Sequence, residues 1–422
     1  MPATKPTTAI LHYTAPPVVG GVEAVMYAHA RVFLQMGYPV SIIAGQGSVE
    51  TLPTGCKFAL IPELDSQHPD ILAAGALLEQ GQIPATFDSL VQQLRASLAP
   101  MVHRFDNLIV HNVFTKHFNL PLTVALFNLL DTGDIKNCIG WHHDFTWTSP
   151  RSRSKVHEGY PWELLRTFQP DVTHVTISRD RQMELAGLYG CPEQAVQVIY
   201  NGVDAAEMFG LSVEGWELVQ RLQLLAADLI MLMPVRVTRA KNIEYALEVV
   251  GALIAKGVKV KLLLTGPPDP HDEMSMAYFH SLQEQRDELG LHGAMHFAYE
   301  SGPDATEPYF LSLEVVFDLY RVSDLMFMPS HQEGFGMPVN EAGLLGLPIV
   351  ASDAVPAAKE IGGQDVFRFS LDQPPEELAK RLLTWVTDDA RLCLARRTRQ
   401  SFTWEAIFRD EIEPLLHGKE AT

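Results

Sequence analysis

The chain has 422 residues, 47% of them hydrophobic and 20% charged, the make-up of a globular protein too long for one ordinary core. Its 32 basic against 51 acidic side chains give a formal charge of −19, a field that opposes phosphate backbones and anionic lipid surfaces and argues against nucleic-acid binding. No run approaches about 18 uninterrupted apolar residues and no basic amphipathic helix is evident, so no stable membrane insertion is expected.

The opening MPATKPTTAILHY lacks the long apolar core of a signal peptide, and a cytoplasmic location is expected. Cys56, Cys138, Cys191 and Cys393 are scattered without CxxC spacing, which suggests neither a zinc ribbon nor a disulfide framework.

Along the chain, strand-like and helix-like segments alternate. Thr8 to His12 reads as a strand, followed by a glycine turn and an amphipathic helix to about Met36. Strands are expected at Tyr38–Ala44, Lys57–Ile61, Asn107–Val110, Lys136–Gly140, Val172–Ile177 and Ala195–Ile199, and helices at Ile71–Gln80, Thr86–Leu98, Leu120–Leu130 and Arg179–Leu188. Such alternation builds a parallel sheet covered by helices on both faces. At Tyr200–Asp204 a turn dipeptide follows a strand, and Ala205–Glu217 shows no strong period, so the domain crossing is placed there.

The pattern then restarts. Strands are expected at Leu229–Val235, Val258–Thr265, Ala294–Phe297, Leu325–Met328 and Pro348–Ala351, with a helix over 243–256 whose apolar residues fall on one face. Near the end, FTWEAIFRDEIEPLL reads as one amphipathic helix. The chain is therefore expected to hold two doubly wound parallel-sheet domains, 1–204 and 205–401. Two such sheets on a short linker form a cleft, the usual place for a ligand.

The richest stretch is LMFMPSHQEGFGMPVNEAGLLGLPIVASD, Leu325 to Asp353. A fully apolar strand ends at Pro329; Gly334 and Gly336 let the backbone bend and approach a ligand. Pro338 suits the start of a helix that carries Glu341 in its first turn. The loop thus offers N–H groups at a helix N-terminus, at the carboxyl end of a parallel strand, where anions bind. Glu333 and Glu341, with seven residues between them, would repel phosphate but accept hydrogen bonds from hydroxyls. A ligand carrying both phosphates and sugar hydroxyls fits; N-capping and dipole roles for the two glutamates explain the same residues.

The run EGFGMPVNEAGLLGLPIVASD resembles the C-terminal donor-site motif of the retaining glycosyltransferases of family 4, two-domain enzymes of the GT-B fold. The resemblance implies transfer of a hexose from a nucleoside-diphosphate sugar to an acceptor hydroxyl with retention of anomeric configuration. It implies a same-face attack in which the departing phosphate takes the acceptor proton, and a last helix, 402–417, that returns to the first domain with Trp404 as anchor. A UDP- or GDP-sugar is the implied co-substrate, with a small or saccharide acceptor and no obligatory metal.

Other residues fall into place around that resemblance. Arg236 and Lys241, after the strand Leu229–Val235, suit a diphosphate: a fork of donors and a movable point charge. The family carries both at this place, and they would stabilise the leaving group; Arg239 reads as a solvated neighbour. Gly20-Gly21 resembles the family's N-terminal glycine loop, and a third glycine at Rossmann spacing is absent, which counts against a nicotinamide enzyme. Within His142-His143-Asp144, adjacent strand residues point apart, which argues against joint chelation. In the family a histidine here reaches the transferred sugar, and His143 is the match, with Asp144 as ring orienter or acceptor contact.

Backbone N–H groups from Gly334 through Phe335, Gly336, Met337 and Pro338 to Val339 would add to phosphate binding, with Glu341 on ribose hydroxyls and Glu333 on those of the donor sugar. Gly266 and Tyr299, at strand ends, would border the nucleotide base. In an acidic chain, Arg151, Arg153 and Lys155, with Asn112, Lys116 and His117, offer an attraction for an anionic acceptor or a plain solvated loop. A GT-B isomerase of the sugar 2-epimerase kind and a non-catalytic nucleotide-sugar binder are the alternative readings.

Overall fold

The computed structural model describes residues 5–269, 273–304 and 306–418. The chain divides into two compact units, one of residues 1–203 with 404–422 and one of 204–403.

Unit 1 holds a seven-stranded sheet in the order β3-β2-β1-β4-β5-β6-β7. The strands are β1 (Thr8–Leu11), β2 (Val40–Ala44), β3 (Lys57–Leu60), β4 (Asn107–His111), β5 (Cys138–His142), β6 (Val172–Thr176) and β7 (Val196–Val198). All neighbouring pairs are parallel. The central strands β1, β2, β4 and β5 are buried along their whole length. That is why they read as apolar runs rather than alternations. Edge strand β3 is half open to solvent.

Unit 2 repeats the design with six parallel strands, ordered β10-β9-β8-β11-β12-β13. These are β8 (Leu229–Met233), β9 (Val260–Leu264), β10 (Met295–Phe297), β11 (Leu325–Met328), β12 (Ile349–Ser352) and β13 (Phe367–Phe369). In each sheet the chain runs outward from one central strand and then resumes on its other side, at β1/β4 and at β8/β11. At such a reversal the connecting helices leave on opposite faces and a crevice opens at the strands' carboxyl ends. Both reversals carry some of the residues singled out above, Gly20 and Asn112 at the first and Arg236, Lys241, Glu333 and Gly334 at the second.

Two expectations are corrected. Residues 205–217 are not irregular: helices Ala205–Phe209 and Val213–Arg221 form there. Asp204 accepts from Glu207 N and Ser212 from Gly215 N, so each short helix is held by its cap rather than by a long apolar period. Gly210, at φ +60°, separates them. The C-terminal segment is also not one α-helix. Trp404–Ile407 passes into a π-helical turn, Phe408–Ile412, before Glu413–Leu416. Pro414 has no N–H to give, and its ring would clash with the carbonyl four residues earlier, so the regular ladder cannot continue.

That segment belongs to the core of unit 1. Trp404, Ile407, Phe408, Ile412 and Leu416 pack with Ile10, Phe33, Ile42 and Ile109. A Cβ on Gly202 would fall 2.9 Å from Trp404 N and from its ring. The Trp404 N–H donates to Val203 O at 3.1 Å, and Asn137 donates to Leu415 O at 2.9 Å. Strand β13 and the helices Pro375–Asp388 and Ala390–Ser401 complete unit 2.

Candidate active site

In unit 2 the chain leaves β8 through Pro234, Val235 and Arg236. Gly266, just past β9, donates to Val235 O at 3.0 Å. A Cβ on Gly266 would stand 2.5 Å from that oxygen and 2.7 Å from Arg236 Cα. Only glycine lets the two loops lie this close, so Gly266 shapes the Arg236 turn. Arg236 itself is exposed, and Arg239 lays its guanidinium over the Tyr278 ring at 4.5 Å.

Lys241 reaches across to the loop after β11. Its Nζ donates to Glu333 Oε1 at 2.6 Å, with the two side chains 20% and 10% exposed. Ser330 Oγ donates to the same oxygen at 2.8 Å, while Ser352 Oγ holds Ser330 O at 2.6 Å. The His331 N–H donates to Ala240 O at 2.8 Å. The switch-point loops are thus tied to each other by backbone and side chain. One cation and one carboxylate of the expected site are in direct contact.

Gly336 is at φ +101°, and a Cβ there would be 2.8 Å from Val355 Cγ1, so turn geometry and packing both demand glycine. The helix that follows is Met337–Leu344, with Pro338 as its second residue. Two sequence expectations change. Glu341 lies beyond the first turn, because the helix starts at Met337. The run of donors is shorter than Gly334–Val339: Pro338 has no N–H, and Val339 N–H turns back to Gly336 O at 2.9 Å. Within Gly334–Val339, the N–H groups of Gly334 to Met337 have no acceptor among the described residues. Phe335 and Met337 are solvent-facing, whereas Val339 is buried.

Glu341 accepts from Tyr320 OH at 2.6 Å. Burial and then that hydrogen bond push the Tyr320 phenol up, so it remains a donor. Tyr320 is a residue the sequence reading missed; it lies on the helix Leu313–Val322 with nothing local to mark it. Tyr299 is placed differently from Arg236, Lys241 and the glutamates. It follows β10 at the sheet edge, with its ring committed to Phe279 at 5.6 Å and Phe310 at 5.7 Å.

In unit 1, Gly20 precedes the helix Gly21–Gln35. A Cβ on Gly20 would meet Glu23 Oε2 at 2.1 Å, while one on Gly21 would meet nothing within 4 Å. Glu23's carboxylate thus lies against Gly20 in the first turn of the helix, a favourable place for negative charge. Thr14 Oγ1 donates to Glu23, and His12 Nε2 lies 3.9 Å from it.

His143 follows β5 and is 7% exposed. Its Nε2 is 3.1 Å from His111 Nδ1, and the two rings stack at 5.4 Å. His142 turns the other way, to His174 Nδ1 at 3.0 Å, as strand alternation requires. Burial, reinforced by nearby His12, brings the His143 imidazole down to about 4, so it is neutral at physiological pH. Asp144 does not orient this ring: its carboxylate lies 3.5 Å from Arg181. Asn112, at φ +61°, spends its Oδ1 on the N–H groups of His143 (2.8 Å) and Asp144 (3.3 Å). Through that oxygen it shapes the loop.

The basic patch is largely self-neutralised. Arg153 stacks on Trp147 at 4.4 Å, donates to Val156 O and sits 3.8 Å from Glu158. Lys155 pairs with Glu79 at 2.9 Å, and His117 Nε2 is 3.5 Å from the same carboxylate. Lys116, its ammonium 4.8 Å from the Phe118 ring centre, has no carboxylate within 4.0 Å among the described residues. Among those residues, no group of three or more His, Cys, Asp and Glu is placed to share a metal ion.

Residues 216–401 match the family model of glycosyl transferases group 1, and residues 19–207 match that of Glycosyltransferase Family 4. The chain belongs to the family 4 type of glycosyltransferase. Its two Rossmann-like sheets are those of the GT-B fold class. This glycosyltransferase is 26% identical over 271 residues to the mannosylglucosylglycerate synthase of Petrotoga mobilis, covering 58% of the chain and 59% of that relative's length. It is 22% identical over 360 residues to the protein of the same name from Thermotoga maritima, covering 81% and 79%. Against the D-inositol 3-phosphate glycosyltransferase of Rhodococcus opacus it is 26% identical over 176 residues, covering 40% and 36%. Among solved structures, Anabaena Alr3699/HepE in complex with UDP and glucose aligns at 19% identity over 97% of this chain and 99% of that one, with a TM-score of 0.34.

Proposed function

We propose that this glycosyltransferase moves a hexose from a nucleoside-diphosphate sugar, with UDP and GDP as the candidate carriers, to an acceptor hydroxyl with retention of configuration. The observation that carries the reading is the contact between Lys241 and Glu333 beside the open N–H groups of Gly334 to Met337. A ligand with a pyrophosphate and adjacent sugar hydroxyls needs donors and acceptors side by side, and this corner offers both. Arg236 and Lys241 supply the positive charge that a leaving diphosphate requires, in place of a divalent cation. Glu341, one oxygen held by Tyr320, attends the ribose hydroxyls.

Glu333 is read as a sugar-hydroxyl acceptor and not as a nucleophile. Its Oε1 already accepts from Lys241 and Ser330, which draws charge from the carboxylate. The acceptor attacks on the face the diphosphate leaves, and that diphosphate takes its proton. On unit 1, Lys116 is the cation that meets a negatively charged acceptor. The relatives' names, mannosylglucosylglycerate synthase and D-inositol 3-phosphate glycosyltransferase, agree with a small acidic polyol as acceptor.

The test is a thermal-shift panel of UDP-, GDP- and ADP-sugars, then an acceptor screen with the best donor and NMR of the product's anomeric centre. One nucleoside-diphosphate hexose raises Tm, and product forms only with acceptor, in the donor's anomeric configuration. No shift with any of them, or donor consumption without acceptor, overturns the reading.

A further inference from the structure

His111 is the last residue of β4 and lies beside Trp141 of β5 in the sheet register, one residue short of the His142-His143 pair. It is wholly buried, and its backbone carbonyl accepts from His12 Nδ1 at 3.0 Å. Its own Nδ1 faces His143 Nε2 at 3.1 Å, while its Nε2 is enclosed with no hydrogen-bond partner. His29 and Trp141 close the far side, with ring centres 5.5 and 5.9 Å away.

Between two neutral imidazoles that share one hydrogen bond, a single proton lies on the line of contact. If it belonged to His143 Nε2, His111 would have to carry its own proton on Nε2, a buried N–H with no acceptor. If it belongs to His111 Nδ1, the enclosed Nε2 keeps only a lone pair. Orphaned buried N–H groups are the rarer and costlier of the two. The second arrangement puts the proton of His143 on Nδ1, which has no intrachain partner among the described residues.

We propose that His111 is a positioning residue that fixes the tautomer of His143, so that His143 offers an Nδ1–H donor to an oxygen of the bound substrate. No covalent step is involved; the residue acts through its neighbour. The inference rests on the glycosyl-transfer reading for its functional consequence, though not for its tautomer.

Long-range proton–nitrogen NMR on protein labelled with ¹⁵N-histidine tests the tautomer directly, with His143→Gln and His111→Asn used to assign the two rings. The expected spectrum has His143 protonated at Nδ1; protonation at Nε2 overturns the proposal. His111→Phe removes the donor and His111→Asn returns an amide N–H near the place of Nδ1. With the donor found in the panel, kcat/KM falls about tenfold in the first and recovers to within about threefold of wild type in the second. Equal activity of the two variants, both folded by their Tm, overturns it. Should no sugar nucleotide be turned over at all, the spectrum still decides the tautomer, and only the functional reading fails.

Discussion

Lys241 Nζ and Glu333 Oε1 lie 2.6 Å apart across the loops that follow β8 and β11. Neither side chain is free in water, so each holds the other's charge. Replacing Lys241 by Ala leaves a nearly buried carboxylate with Ser330 alone as donor. Loss of about 1–3 kcal/mol of unit 2 stability is expected. The double variant Lys241→Ala with Glu333→Ala recovers most of it, because no stranded charge remains. Turnover behaves otherwise: both the single and the double variant lose about a hundredfold or more in kcat. Urea unfolding and donor turnover on wild type and these two variants separate the two effects. Turnover in Lys241→Ala equal to wild type would remove the residue from the chemistry.

The Tyr320–Glu341 hydrogen bond makes a graded prediction. Glu341→Ala deletes the hydroxyl acceptor and is expected to raise the donor KM by about tenfold or more. Tyr320→Phe leaves the carboxylate in place but lets it turn, so a rise of about threefold to fivefold is expected with kcat little changed. A Tyr320→Phe enzyme as impaired as Glu341→Ala would mean that the phenol itself touches substrate.

Much of this was legible in the chain because parallel strands buried on both faces write themselves as short apolar runs. β11 was expected at Leu325–Met328 and is found there. The Gly334–Gly336 turn and the basic residues after β8 follow those strands within a few positions, so their role could be read locally. What escaped was set by contacts distant in sequence. Tyr320 reaches Glu341 from another helix. Glu23 folds over Gly20 because Thr14 and the helix N-terminus attract it. Arg153 reads as a cation for an anionic acceptor or as part of a solvated loop, and Trp147 and Glu158 occupy it. Asn112 reads as part of an attraction for an anionic acceptor or of a solvated loop, and its Oδ1 bonds to the N–H groups of His143 and Asp144 reveal that it shapes the His143 loop.

Gly266 and Gly336 predict losses of different kinds. At Gly266 an added methyl would sit 2.5 Å from the Val235 carbonyl and force the Arg236 turn away. At Gly336 the backbone is at φ +101°, where any side chain is strained by about 1–2 kcal/mol. Gly266→Ala is expected to weaken donor binding chiefly through Arg236, so combining it with Arg236→Ala adds little. Gly336→Ala is expected to weaken binding on top of Arg236→Ala, since it disturbs the N–H groups of another loop. Calorimetric donor titrations of the two double variants decide it; full additivity in the Gly266 pair would refute the proposed coupling.

Acid should open unit 1 before unit 2. Burial brings the His29 imidazole down to about 3 and those of His117, His143 and His174 to about 4, and holds His12, His111 and His142 low as well. All of these are in unit 1; in unit 2, His296 is the histidine brought to about 4 among the described residues. An unfolded histidine titrates near about 6.5, so between that value and the folded ones the unfolded chain binds more protons. Stability from these groups is therefore complete above about pH 6.5 and is lost as pH falls toward about 4. Each such imidazole removes up to about 1.4 kcal/mol per pH unit across that window. Hydrogen–deuterium exchange at pH 7.0 and 5.0, corrected for intrinsic rates, should show β4 and β5 losing protection while β8 and β11 keep theirs. Equal loss in both sheets would mean that the buried imidazoles of unit 1 do not set which unit opens first in acid.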